Sequence, residues 1–558
     1  MNQQGRFLLF IAISLLIIIL WSAFFAPPPP KAKPPPPKIA TRSTPAPKRP
    51  APSPAPAPAP VAPAPRAAPE AAPPVTTQVV DTRNWTATFT SRGAGIERFV
   101  LKGKKDRRHI GKVAEGVNLA HPAKDQPVPL STTIGPADQG FGATTRYRVG
   151  KFDPKAGILT YERTQNGLTV TKTFTWKDGS YALGLQVAVR SVTGAAATVP
   201  VKVEYSAWEA HPKTGGLFAF ATRAEIHQAA CYLAGSRSMD TRDYGKVEAP
   251  KTFTSAPAFA AIDEKYFLAA IAPQGGLASA PGATCTLASP KPNELVASYS
   301  RALEVPAGGS GSAQFDLFLG PKATGLLHAW GHGSDVSVYN GSIAKVGKLL
   351  IPILRAFHHV ANNWGVAIIL LTVLVKVITL PLSHRQMKSM DQMKAIAPKL
   401  EAIKKKYEGN TQRINEETMK LYKEHNINPI GCAVPMLVQM PIWWALYETL
   451  GASYELYNEP FIHGWINDLT VMDPYYVLPI LMTVTMFGTQ LLTPQATPQQ
   501  GQMKAMTYGM PIFFGFLMMA LPAGLVLYIF TSNVLSILQS LWYRRRYPSP
   551  APAPAPLK

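Results

Sequence analysis

The chain has 558 residues, with 56 Lys and Arg against 33 Asp and Glu, a formal charge of +23, 54 prolines and three cysteines. Apolar runs longer than any soluble helix needs lie at the N-terminus and beyond residue 350, which excludes a wholly soluble protein. Much of the positive charge falls in a proline-rich stretch and in loops between apolar runs, where it suits anionic lipid and chain orientation better than nucleic acid.

Residues 7–25, "FLLFIAISLLIIILWSAFF", have the length and uniformity of a spanning helix. The run exceeds a typical signal-peptide core and lacks an A-x-A site, so 1–25 is read as an uncleaved anchor. Residues 26–75 form a Pro/Ala-rich disordered linker, as in "PAPAPAPVAPAP". Such a segment favours polyproline II and reaches on the order of 150 Å at about 3.1 Å per residue.

From 76 to 332 the pattern changes to short alternating runs broken by Gly, Asn, Asp and Pro, which predicts a large β-sandwich. "GLTVTKTFTWKDGSYALGLQVAVRSV" (167–192) reads as two strands joined at Lys-Asp-Gly. Its histidines are scattered and its carboxylates unpaired, so no catalytic constellation, metal site or cofactor is expected there. Cys231 and Cys285 share this region and pair if it faces an oxidising compartment; two free buried thiols are the equal alternative.

Residues 338–360 predict an amphipathic interfacial helix. A core at 361–547 then contains apolar spans at about 362–382, 430–451, 475–492, 506–521 and 524–541, and a Pro/Ala-rich tail follows at 548–558. Between the first two spans lies 383–429, with ten Lys/Arg against six Asp/Glu. Met387, Met390, Met393, Ile396, Leu400, Ile403 and Tyr407 mark one apolar helix face, "EGN" turns the chain, and Asn410 or Thr411 caps a second helix. This predicts a helical hairpin whose basic rim is Arg385, Lys388, Lys394, Lys399, Lys404, Lys405, Lys406 and Arg413, either merely solvated or a docking arm. The loop 452–474 has no Lys or Arg and four acids. The positive-inside rule puts 383–429 and both termini in the cytoplasm and the β-rich region outside. The anchor's own flanks oppose this, with Lys31, Lys33 and Lys38 on its outer side; the consistent alternation of the later spans sets the orientation.

Lys376 lies inside the first core span, seven residues or roughly 10 Å before Ser383. Snorkelling explains a lysine one turn from the edge better than one nearly two turns deep. The sharper reading is a wet cavity open to the cytoplasm, shared with Thr372, Gln490 and Asn533 and available to an anionic guest.

"NWGVAIILLTVLVKVITLPLS", "NPIGCAVPMLVQMPIWWALYETL", "DPYYVLPILMTVTMFGTQ" and "LPAGLVLYIFTSNVLSILQ" resemble the YidC/Oxa/Alb membrane protein insertases, in their order. The resemblance covers 340–547 and is of the bacterial YidC type. It implies a multi-span α-helical inner-membrane protein, with a five-helix core, an anchor, a periplasmic β-sandwich and a cytoplasmic hairpin. It implies an insertase and chaperone that is not an enzyme. Nascent membrane proteins, the Sec translocon, the ribosome, the signal recognition particle pathway and lipids are its implied partners, with no small-molecule substrate. Carried over by motif, Lys376 is the groove charge, standing where arginine is commoner, and Thr372, Trp443, Met482, Leu517 and Tyr528 contact substrate. A secondary transporter and an envelope sugar-binding protein are the rival readings.

Overall fold

The computed structural model describes residues 72–110, 113–120, 122, 126–135, 140–191, 196–209, 227–236, 239–244, 247–338, 344–425, 427, 442, 445–447, 449–450, 453–492 and 501–547. The expected anchor, nearly all of the linker, most of the 430–451 span and the tail lie outside the described residues.

Two antiparallel sheets dominate the first half. The nine-stranded sheet runs, edge to edge, Asp240–Asp243, Gln228–Leu233, Pro257–Asp263, Phe267–Pro273, Ser310–Pro321, Ala182–Ser191, Leu168–Trp176, Ile158–Gln165 and Arg148–Asp153. The five-stranded sheet runs Glu248–Phe253, Thr284–Lys291, Glu294–Val305, Ala197–Trp208 and Ser131–Ile134. Their inner faces share one apolar core, including Phe174, Leu185, Val187, Tyr205, Tyr299 and Phe315. Leu168–Trp176 and Ala182–Ser191 pair with Leu183 opposite Trp176, and Gly179 takes the positive φ that the turn requires.

Period-two alternation fails in Pro257–Asp263 and Phe267–Pro273, where every residue is buried. Both faces of these central strands are covered. One meets the opposing sheet, and the other meets a second apolar cluster closed by helix α1 (Thr324–Trp330) and the turn that follows it, with Phe259, Leu268, Phe318 and Leu327 at its centre. Cys231 and Cys285 are disulfide-bonded, with Cα atoms 6.2 Å apart. Because they sit on Gln228–Leu233 and Thr284–Lys291, the bond staples one sheet to the other.

Lys172 is fully buried in this domain. Its ammonium donates to the carbonyls of Gly93 at 3.1 Å, Ala94 at 2.6 Å and Leu130 at 3.0 Å. All three acceptors have positive φ, so one side chain satisfies carbonyls that left-handed turns withhold from any ladder.

The second half is helical: α2 (Ala344–Ala361), α3 (Trp364–Ala395), α4 (Ala397–Lys406), α5 (Thr411–Glu424), α6 (Val477–Leu492), α7 (Gly501–Met518) and α8 (Ala523–Arg546). By length and composition α3 and α8 are long and apolar enough to cross a membrane. Apolar α6 has 16 residues, and the apolar part of α7 is Gly509–Met518. Their surfaces carry exposed Val377, Ile378, Ile480, Val484, Leu491, Ile512, Phe513, Phe516 and Leu538. An apolar belt of this extent is out of place in water and suits lipid.

The basic stretch departs from expectation. The helix that carries the 362–382 run does not stop there: α3 continues without a break to Ala395, so Arg385, Lys388 and Lys394 lie on the same helix. The break falls at Ile396, because Pro398 at the second position of α4 cannot continue a helix arriving from α3. Helices α4 and α5 then pack through Ile396, Leu400, Leu421 and Ile427. Asn410 caps α5, its side chain accepting from Arg413 N at 3.1 Å.

Candidate functional site: a polar seam between two membrane-length helices

On α3, Thr372, Lys376, Thr379 and Ser383 recur at steps of four, three and four, which puts them on one helix face. On α8, Ser532, Ser536 and Ser540 do the same at steps of four. The faces meet where Lys376 Nζ donates to Ser536 Oγ at 2.8 Å. Val373, Val377, Ile378 and Leu380 turn outward, whereas Lys376, Thr379 and Ser536 are half-buried. The pattern of a soluble helix is inverted, with polar groups between helices and apolar groups on the outside.

Along α3 and α6 the fully buried side chains stop at Thr372 and Met482. On α8 they fill Ala523–Tyr528, with Tyr543 alone beyond. These N-terminal ends form one packed cluster with Leu446, Leu450, Leu456, Ile466 and Leu469. The 453–473 segment ties them together. Asn363 Nδ2 donates to Phe461 O at 3.0 Å, Leu478 N to Asp473 Oδ2 at 2.7 Å, and Gly524 N to Leu469 O at 2.9 Å. The seam thus begins where the packed end stops.

That packed end also joins the β-rich domain. Tyr454 donates to Asp106 Oδ1 at 2.7 Å, Tyr457 to Arg107 O at 2.9 Å, and Asn458 Nδ2 to Lys105 O at 2.7 Å. Tyr457 stacks on Tyr266 with ring centroids 4.4 Å apart. Arg355 of α2 pairs with Glu455, which also accepts from Thr324 of α1 at 3.3 Å. Burial pushes the Asp106 carboxyl above its ordinary value, against the lowering pull of Tyr454 and Tyr181.

The expected site residues separate into groups. Thr372 is buried and spends its hydroxyl on Ile368 O at 2.7 Å. Asn533 Nδ2 reaches Thr485 Oγ1 at 3.5 Å. The buried amide oxygen of Gln490 on α6 meets no donor among the described residues. Met482 and Tyr528 are enclosed in the packed cluster, and Leu517 lies at its edge. Trp443 lies outside the described residues. The eight basic residues from Arg385 to Arg413 are all exposed, and Lys399 Nζ lies 3.1 Å from His425 Nε2. Ser536 was not anticipated, although its four-residue spacing from Ser532 in an apolar run was a readable signal. The Asp106–Tyr454 contact, spanning 348 residues, had none.

A family model described as "60Kd inner membrane protein" matches residues 356–550, and one described as "YidC periplasmic domain" matches 77–351. A membrane protein insertase YidC from Anaeromyxobacter sp. (strain Fw109-5) is 37% identical over 494 residues, 87% of each chain. The chain belongs to the YidC family. Another YidC insertase, from Geobacter sulfurreducens, is 34% identical over 477 residues, covering 83% of this chain and 85% of its own. A solved structure of an active YidC insertase with its first transmembrane domain resolved aligns over 84% of this chain and 94% of its own, at 18% identity and a TM-score of 0.36. The two family matches divide the chain within α2, between the β-rich domain and the YidC helical core.

Proposed function

We propose that this YidC-family chain inserts and folds inner-membrane proteins through the seam between α3 and α8, with Lys376 as the charge that receives acidic or polar tails. The observation that carries the reading is a lysine held between two membrane-length helices and paired with a neutral serine. Among the described residues no carboxylate neutralises it. The names of its relatives support an insertase over a transporter or an anchored sugar-binding protein.

The mechanism needs no covalent step. A short polar tail enters the seam from the Ser383 end, where the positive site offsets part of its desolvation. Burial of the substrate's apolar helix contributes about 0.8 kcal/mol per methylene and drives the remainder. The packed cluster at the other end limits how far the tail advances unaided. In this reading five spans form the core, with 430–451 among them and Trp443, Met482, Leu517 and Tyr528 beside the substrate path. The β-rich domain faces the periplasm, which agrees with its disulfide, since such bonds persist in oxidising compartments. Both termini and α4–α5 face the cytoplasm. There the exposed basic rim suits ribosomes, the signal recognition particle pathway and anionic headgroups, and the Sec translocon acts alongside for larger clients.

The test uses purified protein in Sec-free liposomes with a single-span substrate bearing an acidic N-terminal tail, scored by protease protection. Native protein and Lys376→Arg insert it, and Lys376→Ala loses most insertion. Full activity in Lys376→Ala removes the landing role. No insertion by folded native protein overturns autonomous insertion.

A further inference from the structure

We infer that Ser536 is a positioning residue for Lys376: it holds the ammonium deep in the seam while leaving its charge unspent. The inference rests on the insertase reading and deepens it.

A lysine stem is long enough to carry its head towards the headgroup region at the Ser383 end, and little else opposes that drift. The other hydroxyls on the same face of α3 do not hold it. Thr372 donates to Ile368 O at 2.7 Å, Thr379 to Val375 O at 2.9 Å, and Ser383 to Thr379 O at 3.1 Å. Each bonds back to its own helix, and the hydrogen bond of the ammonium goes across the seam to Ser536 instead. Ser536 also donates to its own helix, to Ser532 O at 2.9 Å, and this fixes the direction of the contact across the seam. With its proton committed, its lone pairs point away from α8 and accept from Lys376 Nζ at 2.8 Å. The serine is therefore an oriented acceptor.

Its neutrality matters as much as its place. An aspartate at 536 would hold the lysine more strongly, because charge-assisted bonds are the stronger class. It would also cancel the charge and compete with any acidic guest. A serine positions without neutralising. A substrate carboxylate arriving in the seam meets an ammonium that still has donors to spare.

The experiment compares native protein, Ser536→Ala, Ser536→Thr and Ser536→Asp in Sec-free liposomes, with two single-span substrates that differ only in an acidic or a neutral tail. The expected result for Ser536→Ala is about a tenfold lower initial rate with the acidic tail, in line with losing a hydrogen bond to a charged group, and a neutral-tail rate near native. Ser536→Thr restores the hydroxyl and the acidic-tail rate. Ser536→Asp erases the preference for the acidic tail. Equal losses on both substrates in Ser536→Ala, or no loss on either, overturn the positioning role. A second readout is independent of insertion: acylation of Lys376 by a small activated ester, which releases its alcohol leaving group, added to native and Ser536→Ala protein in lipid nanodiscs and followed by peptide mass. Faster labelling in Ser536→Ala marks release of the stem, and equal labelling overturns the inference. If native protein labels slowly and Ser536→Ala quickly while neither inserts substrate, the insertase reading fails and the Lys376–Ser536 contact stands.

Discussion

Removing the inter-sheet disulfide with Cys231→Ala and Cys285→Ala should lower the melting temperature of the β-rich domain by at least about 8 °C. The bond closes a sequence separation of 54 residues. On the chain-entropy description, releasing a loop of that length returns about 14 cal/mol/K to the unfolded chain, or about 4 kcal/mol at 25 °C. With about 2.1 cal/mol/K per residue over roughly 250 residues, the unfolding entropy is about 0.5 kcal/mol/K, so 4 kcal/mol corresponds to about 8 °C. Both cysteines are fully buried, and the lost packing adds to the loss. The assay is thermal unfolding of the full chain in detergent, with hydrogen exchange of Gln228–Leu233 and Thr284–Lys291 as the local readout. Protection should fall in both strands together, since they belong to different sheets joined by this bond. A shift under about 2 °C would refute the entropic argument. Complete alkylation of both thiols in unreduced protein taken from cells would refute the pairing itself.

The docked 453–459 segment gives a pH prediction. Asp106 has a folded pKa above its unfolded 3.8, so the docked state binds more protons between the two values and docking strengthens as pH falls through that window. Hydrogen-exchange protection of 102–107 and 453–459 should rise on acidification in native protein and flatten in Asp106→Asn; a flat native profile refutes it. Tyr454→Phe should weaken protection of the same segments by about 1–3 kcal/mol. Lys172→Met keeps much of the stem but orphans three carbonyls, each worth about 1 kcal/mol or more; the β-rich domain should fail to accumulate folded, and a melt within 1 °C of native would exclude the role given to Lys172. In Gly365→Ala the new Cβ collides with the ring of Phe461, beside a backbone tied to Asn363, and overpacking should cost about 1–3 kcal/mol. Gly509→Ala meets nothing within 4 Å and serves as the control, both read by thermal melts in detergent.

Local signals carried much of the architecture. Period-two runs and a Lys-Asp-Gly turn identify the strands at 168–191, a three- and four-residue apolar rhythm marks 387–407 as helical although not its break at Ile396, Asn410 identifies the start of α5, and Lys376 announces itself as a charge in an apolar run. These readings succeed because the physics is local: side-chain period, turn geometry, and the cost of a charge in hydrocarbon. The sequence alone also determined the family, since the motifs from "NWGV" to "LPAG" occur in order. Tertiary structure decided what depends on distant partners. The cysteine question stayed open until the two strands were placed on opposing sheets. Where α3 ends is also a tertiary matter, because an apolar span and a basic amphipathic helix share one backbone without a break, and hydropathy marks only the change of surroundings. Ser536 became visible only when α8 was laid against α3, because serine in an apolar helix is ordinary until a charge 160 residues away donates to it. Asp106 and Tyr454 are likewise unremarkable until folding buries a carboxylate between tyrosines. Periodicity reports which face is buried, whereas only packing reports what that face meets.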